Sequence, residues 1–354
     1  MAEQHLPTSE YVRAETRGAL GILTLDRARA LNSLDRDMVL AMEDALERWA
    51  EEPGVRAVVV RGEGRGLCAG GDVRALRDGP DEAAVGFWAD EYRLNALIAA
   101  YPKPYVALMD GITMGGGLGI SAHGSVRVVT ERTSVAMPET RIGFTPDVGM
   151  AALLARAPGE LGTHLALTSS TATGADAVYL GWADHLVPSE RLGGLLDLLD
   201  ARLGAPEVSE ETALTIAHDA VRSLALPASE APLAAERDWV DEAYAGDDAQ
   251  TILDRLVELA AEGHEGARAA EEAVRSVCPF SAVVTLEALR RAAVMDVVDV
   301  LAQDLQLGAA LVARGDMREG IRALLVDKDG APRWNPARIE DVDPHEVEAA
   351  FGGD

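Results

Sequence analysis

The sequence predicts an α/β protein whose second half is almost wholly helical. Three observations carry this. Short β-branched runs alternate with amphipathic stretches through the first half. Two glycine-rich loops each follow such a run. From Ser189 onward the strand signals stop and helical periodicity takes over. Strand, strand, helix units in succession therefore give an α/β core over residues 1–188, with a helical C-terminal region over 189–354 packing on it.

Gly18 to Asp26 alternates and reads as a strand. Asp35 is a good N-cap for a helix through about Ala50, with Met38, Met42, Ala45, Leu46 and Trp49 on one face. Val55 to Arg61 is a buried strand. The glycine-rich stretch Gly62 to Gly71 leads through Asp72 into a short helix. Asp81 to Ala100 is a longer helix, and Pro104 to Asp110 is a strand. Gly111 to His123 passes from strand to helix through a glycine turn. Ser125 to Thr130 and Ser134 to Met137 are short strands. Three helical patches follow, then Ala183 to Val187 as the last strand. Gly204 to Glu236, rich in Ala, Pro, Ser and acids, is the expected joint.

Composition excludes several functions. The 354 residues carry a formal net charge of −27, so nucleic acid and anionic membrane surfaces repel the chain. Its hydrophobic fraction of 48% fits a globular chain with a sizeable core. No apolar run is long enough for a transmembrane helix. Met1 to Glu10 is polar and has no signal-peptide apolar region. Cys68 and Cys278 are the only cysteines, which fits a reducing cytoplasm better than a disulfide scaffold.

Glu139 and Asp147 lie eight positions apart in Met137–Gly149, each directly after a proline. Such acids serve general acid/base or nucleophilic chemistry, or they are helix-start carboxylates. The loops Leu67–Asp72 and Gly115-Gly116-Gly117 bring backbone N–H groups close to a ligand. Two such groups on one oxygen make an oxyanion hole. Neither loop completes a Walker A or dinucleotide pattern, and no His/Cys spacing suits a metal. Cys68 is a candidate nucleophile with nothing placing a histidine beside it. His123 reads as a helix-face or core residue.

These pieces in this order resemble the crotonase (enoyl-CoA hydratase/isomerase) superfamily, from about Gly18 to Ile339. The resemblance implies a crotonase-like ββα spiral that binds acyl-CoA thioesters. It assigns the oxyanion donors to the N–H groups of Gly71 and Gly116, and lays the loop Asp26–Leu34 over the CoA nucleotide. Gly70 and Asp72, which flank the first donor, are by the same resemblance substrate-binding positions. Arg27 and Arg29 then supply local positive charge, or they are solvated loop charges. Hydratases of this superfamily use two glutamates. One of those positions is Gly119 here, the other is Glu139, and Asp147 is an added acid. Cys68–Asp72, Asp110–Gly117, Met137–Thr140, Pro146–Gly149, Glu319–Gly330 and Pro332–Pro336 together resemble the 3-hydroxyisobutyryl-CoA hydrolase branch, which cleaves a thioester in valine breakdown.

What the branch implies for mechanism is concrete. Glu139 attacks or activates water, while Asp147 and Glu91 hold the 3-hydroxyl or orient the water and Glu139. Apart from coenzyme A as part of the substrate, no cofactor is expected. A homo-oligomer is expected, whether trimer, hexamer or dimer. The rival readings are an enoyl-CoA hydratase/isomerase acting on another acyl-CoA and a non-catalytic binding protein on the same fold. Three departures from the branch stand out: Phe144-Thr145, Met150-Ala151-Ala152 and Leu305-Gln306. The first two put the acyl preference in question, and the third the packing of the helical part.

Overall fold

Parallel strands buried on both faces read as continuous runs of Val, Ile and Leu, and that pattern builds the first sheet. The computed structural model describes residues 9–227 and 230–353, so the first eight residues of the polar N-terminal stretch and Ala228–Ser229 of the expected joint lie outside the description. The strands are β1 (Val12–Arg17), β2 (Leu20–Leu25), β3 (Ala57–Gly62), β4 (Gly66–Cys68), β5 (Tyr105–Met109), β6 (Ile112–Met114), β7 (Val126–Val129), β8 (Ser134–Ala136), β9 (Ala172–Thr173) and β10 (His185–Leu186). A six-stranded sheet runs β1-β2-β3-β5-β7-β10 and a four-stranded sheet β4-β6-β8-β9. In the larger sheet only β1 and β2 pair antiparallel; the register elsewhere is parallel, as in Leu23 opposite Val60 and Leu108 opposite Val128.

The chain divides into two compact units, each discontinuous in sequence. The first comprises the chain up to Gly71, Asp90–Val135 and Thr173–Ala231; the second comprises Asp72–Ala89, Ala136–Ala172 and the chain from Pro232 onward. The final passage, at Ala231–Pro232, falls inside the stretch expected as a joint. Helices Leu192–Leu203 and Glu210–Arg222 belong to the first unit with the sheet.

In the first unit, one face of the sheet is closed by Leu195, Leu199, Ala217 and Val221 packed on Ile22, Val59, Val106 and Val128. Burying a side chain of this size contributes roughly 1.5–3 kcal/mol. The helix Arg36–Glu51 starts as the sequence requires: the Asp35 side chain accepts from Met38 N at 2.9 Å. Its far end is capped by buried Lys103, whose ammonium donates to the carbonyls of Trp49 (2.5 Å) and Glu52 (2.7 Å). A cation at a helix C-terminus also meets the negative end of the dipole.

The second unit is helical apart from short strand segments at its borders. Its helix Val297–Arg314 begins at the Asp296 cap, which accepts from Val298 and Asp299 N at 2.9 Å each. It buries Val300, Leu301, Asp304, Leu307, Gly308 and Leu311 along one face. Among the described residues no helix is long and apolar enough to cross a membrane.

Candidate active site

In the first unit the structure brings Gly71, Gly116 and Glu91 together. The loop before Gly71 is pinned by Ala69 N donating to Leu31 O (3.0 Å) and Leu34 N donating to Gly70 O (2.8 Å). Gly70 takes φ +101 and backs onto the second loop; a β-carbon there would stand 3.5 Å from Gly116 N. Gly116 opens the helix Gly116–Gly119, a single turn. A β-carbon on Gly116 would lie 2.3 Å from Glu91 Oε1 and 3.4 Å from Gly71 N. The Gly116 backbone, the Gly71 amide and a carboxyl only 2% exposed therefore border one small space. The helix behind that space is a single turn, too short for a macrodipole.

In the second unit Glu139 opens the 3-10 turn Glu139–Ile142 directly after Pro138, and Asp147 precedes the helix Met150–Leu154. Both are thus helix-start carboxylates, as the plainer sequence reading has it. Both are also buried, Glu139 to 8% exposure and Asp147 to 6%, which exposed helix-start acids are not. A buried carboxyl needs hydrogen-bonding partners or a proton.

The turns that carry them are held from several sides. Glu139 O accepts from Phe144 N (3.0 Å) and Thr140 O from Cys278 N (3.0 Å). The Thr140 hydroxyl meets Ser169 Oγ at 2.6 Å, and Thr145 Oγ1 meets Thr285 Oγ1 at 3.0 Å. After Asp147, Val148 (φ 53) and Gly149 (φ 77) are consecutively left-handed, a costly geometry for a β-branched residue. Gly149 N donates to Asp304 Oδ2 at 2.8 Å, and Asp147 O accepts from Met150 N at 2.9 Å. Asp304 is completely buried, and burial together with the neighbouring Asp147 pushes its carboxyl well above the usual aspartate range.

The other candidates fare differently. Arg27 is bound into its own loop: it donates to Ser33 O (3.0 Å) and Ser33 Oγ (3.2 Å) and lies over the Tyr11 ring at 5.3 Å. Arg29 is exposed. Asp72 is the half-buried N-cap residue of the helix Val73–Asp78. Cys68 is fully buried, accepts from Gly70 N at 3.3 Å, and has its thiol pushed up to about 12 by burial. It is a turn-forming thiol rather than a neutral-pH nucleophile. His123 sits half-buried in the turn after Gly116–Gly119, not on a helix face. Gly119, where hydratases of the superfamily carry an acid, is buried and brings no side chain. No group of three or more His, Cys, Asp or Glu among the described residues could hold a metal.

A family model described as enoyl-CoA hydratase/isomerase matches residues 20–351. The chain belongs to that family. Curated relatives include the mitochondrial 3-hydroxyisobutyryl-CoA hydrolases of Xenopus laevis, 36% identical across 94% of this chain and 86% of that one, and of Homo sapiens, 33% identical across 98% and 90%. Among solved structures, a carnitinyl-CoA dehydratase from Mycobacterium thermoresistibile is 43% identical with a TM-score of 0.87, covering 97% of this chain and 96% of that one. An enoyl-CoA hydratase from Rhodobacter sphaeroides is 36% identical with a TM-score of 0.86, covering 97% of each. The mixed α/β architecture with its many C-terminal helices is therefore this family's fold.

Two residues escaped the sequence reading. Asp304 carried a signal: a lone acid at helical spacing from Val300 and Leu301 on one side and Leu307 and Leu311 on the other, on a face whose only other buried polar side chain is Gln303. Trp88 carried less. It stacks on Phe144, ring centroids 4.7 Å apart and 23° between planes, a contact between segments far apart in sequence.

Proposed function

We propose that this family member is a 3-hydroxyisobutyryl-CoA hydrolase acting in valine breakdown. Water and the thioester give 3-hydroxyisobutyrate and the free thiol of coenzyme A. The observation that carries this reading is the full-length similarity to hydrolases of that name, combined with Gly119 at the position where a two-glutamate hydratase needs an acid.

The roles follow residue by residue. The N–H groups of Gly71 and Gly116 stabilise the oxyanion that forms when the thioester carbonyl is attacked, each donor being worth ~10²–10³ in rate. Glu139 is the attacking or water-activating carboxylate. Asp147 and Glu91 hold the 3-hydroxyl or orient the water and Glu139. Gly70 and Asp72 shape the loop around the first donor, and exposed Arg29, more than the internally bonded Arg27, meets the phosphates of the nucleotide. Coenzyme A arrives as part of the substrate, and no further cofactor takes part. The protein works in a reducing cytoplasm, in keeping with two buried free thiols, and assembles with copies of itself.

A second reading is favoured by one observation: the dehydratase and hydratase titles of the structures at 43% and 36% identity. One assay separates the two. Incubated with a panel of short 3-hydroxyacyl-CoA thioesters, the protein releases CoA thiol and forms no enoyl absorbance. Enoyl absorbance appearing without thiol would replace the hydrolase by the dehydratase.

A further inference from the structure

Glu139 acts in the steps above through its carboxylate, and the residue beside it fixes where that carboxylate stands. We infer that Ser169 is a positioning residue for Glu139, its hydroxyl holding Thr140 and with it the turn that carries the acid. This deepens the hydrolase reading and rests on the part that reading gives Glu139.

Within the second unit, Glu139 and Thr140 open the 3-10 turn Glu139–Ile142 behind Pro138. The proline ring restricts the backbone on one side of Glu139, and Thr140 holds it on the other. Thr140 is completely buried, and its hydroxyl meets Ser169 Oγ at 2.6 Å and Ala166 O at 3.2 Å. A hydroxyl has one proton to give, and a carbonyl can only accept. Thr140 therefore donates to Ala166 O, and Ser169 is the donor in the shorter bond. Ala166 O is among the last four carbonyls of helix Leu161–Thr168, which the helix itself leaves without a donor. The relay from Ser169 through Thr140 thus ties the turn to the end of that helix, each bond polarising the next. The main chain adds two ties, Cys278 N to Thr140 O and Phe144 N to Glu139 O, both 3.0 Å. A rotation of the Glu139–Thr140 peptide has to break one of these bonds.

The conformation of Ser169 is the second observation. It ends the helix at φ 53 and ψ 29, in the left-handed region where helices usually place glycine. A β-carbon is unfavourable there, so glycine would be the unstrained residue at this cap. Ser169 is also 7% exposed, so its hydroxyl is not kept for contact with solvent. Its side chain carries a single polar group, and that group is bonded to Thr140. Backbone strain of this kind persists where the surroundings over-determine it, and here the strained side chain reaches the neighbour of the acid.

The test uses the full chain, with thiol release and chemical denaturation read on the same variants. Ser169→Ala and Ser169→Gly both lose the hydroxyl, but only the glycine relieves the left-handed strain. Ser169→Gly should therefore unfold at a higher denaturant midpoint than Ser169→Ala. In both, kcat should fall by about tenfold or more while KM stays within about twofold, the mark of a misplaced catalytic group. Thr140→Val keeps the shape without the hydroxyl and should lose kcat in the same way, and Thr140→Ser should restore it. A kcat that recovers in Ser169→Gly along with the midpoint would show that the cap serves helix stability alone and would overturn the positioning role. Wild type that forms enoyl absorbance without thiol overturns the hydrolase reading instead. Glu139 is the acid kept in that reaction too, so the same variants read on enoyl absorbance then decide the role of Ser169.

Discussion

Gly116 and Glu91 are in such close approach that a β-carbon on the glycine would stand 2.3 Å from the carboxyl Oε1. Gly116→Ala must therefore displace a buried glutamate and crowd the Gly71 amide 3.4 Å away. If the two amides are the oxyanion donors, turnover should fall by ~10² or more. Secondary structure by circular dichroism should stay native. A Gly116→Ala variant that hydrolyses thioester at the wild-type rate would remove the loop from the mechanism.

Glu139→Gln keeps the shape of the 3-10 turn and removes the basic oxygen. Turnover should drop by at least ~10² for a general base or nucleophile, with KM little changed. Single-turnover hydrolysis in heavy-oxygen water then divides the two roles. Label in Glu139, or an acyl adduct on it after acid quench, marks a mixed anhydride; neither marks direct attack by water. Near-normal turnover in Glu139→Gln contradicts both.

The Trp88–Phe144 stack rests on Gly308, where a β-carbon would lie 3.0 Å from the indole and 3.4 Å from the phenyl ring. Both rings are 3% exposed, so neither moves without repacking. Gly308→Ala should cost about 1–3 kcal/mol by overpacking, offset in part by the better helix propensity of alanine. Chemical denaturation measures it, and an unchanged midpoint would show that the stack yields freely.

His164 is half-buried, with its Nδ1 3.0 Å from the Tyr244 hydroxyl and its ring edge-on to Tyr244 and Trp239. Burial lowers its pKa to about 4. The unfolded chain, near 6.5, binds the proton first, so stability present above pH 6.5 is lost as pH falls toward 4. The loss reaches on the order of 3 kcal/mol. His164→Gln should flatten the slope of melting temperature in that window, and an unaltered slope would assign it to other groups.

Much of the fold was legible in sequence because local signals agreed with it. The Asp35 cap, the apolar face from Met38 to Trp49 and the β-branched run at Val58–Val60 all stand where expected. Strand β1 was missed: Val12 is its only buried residue, so no apolar alternation marks it. The passage Gly111–His123 runs from strand to helix through a glycine turn as expected, with strand Ile112–Met114 and a helix of one turn, Gly116–Gly119, since three glycines give that turn little to propagate from. Of the candidate residues, Glu139, Asp147, Gly71 and Gly116 were visible as motif residues, and Glu91 as an acid on a helix.

By itself, the sequence determined the motif order that places this chain in its family, the loss of an acid at Gly119, and a negative charge that repels nucleic acid. These depend on residue type and spacing alone. Tertiary structure decided that Gly116 stands against Glu91, that Cys68 is an inert buried thiol, and that Asp304 lies under the turn of Asp147, 155 positions from its hydrogen-bonded partner Gly149. Those are long-range approaches, and burial is what gives them their chemistry. A carboxyl in water is an ordinary acid, whereas the same group enclosed by apolar side chains keeps its proton and acts on its neighbours.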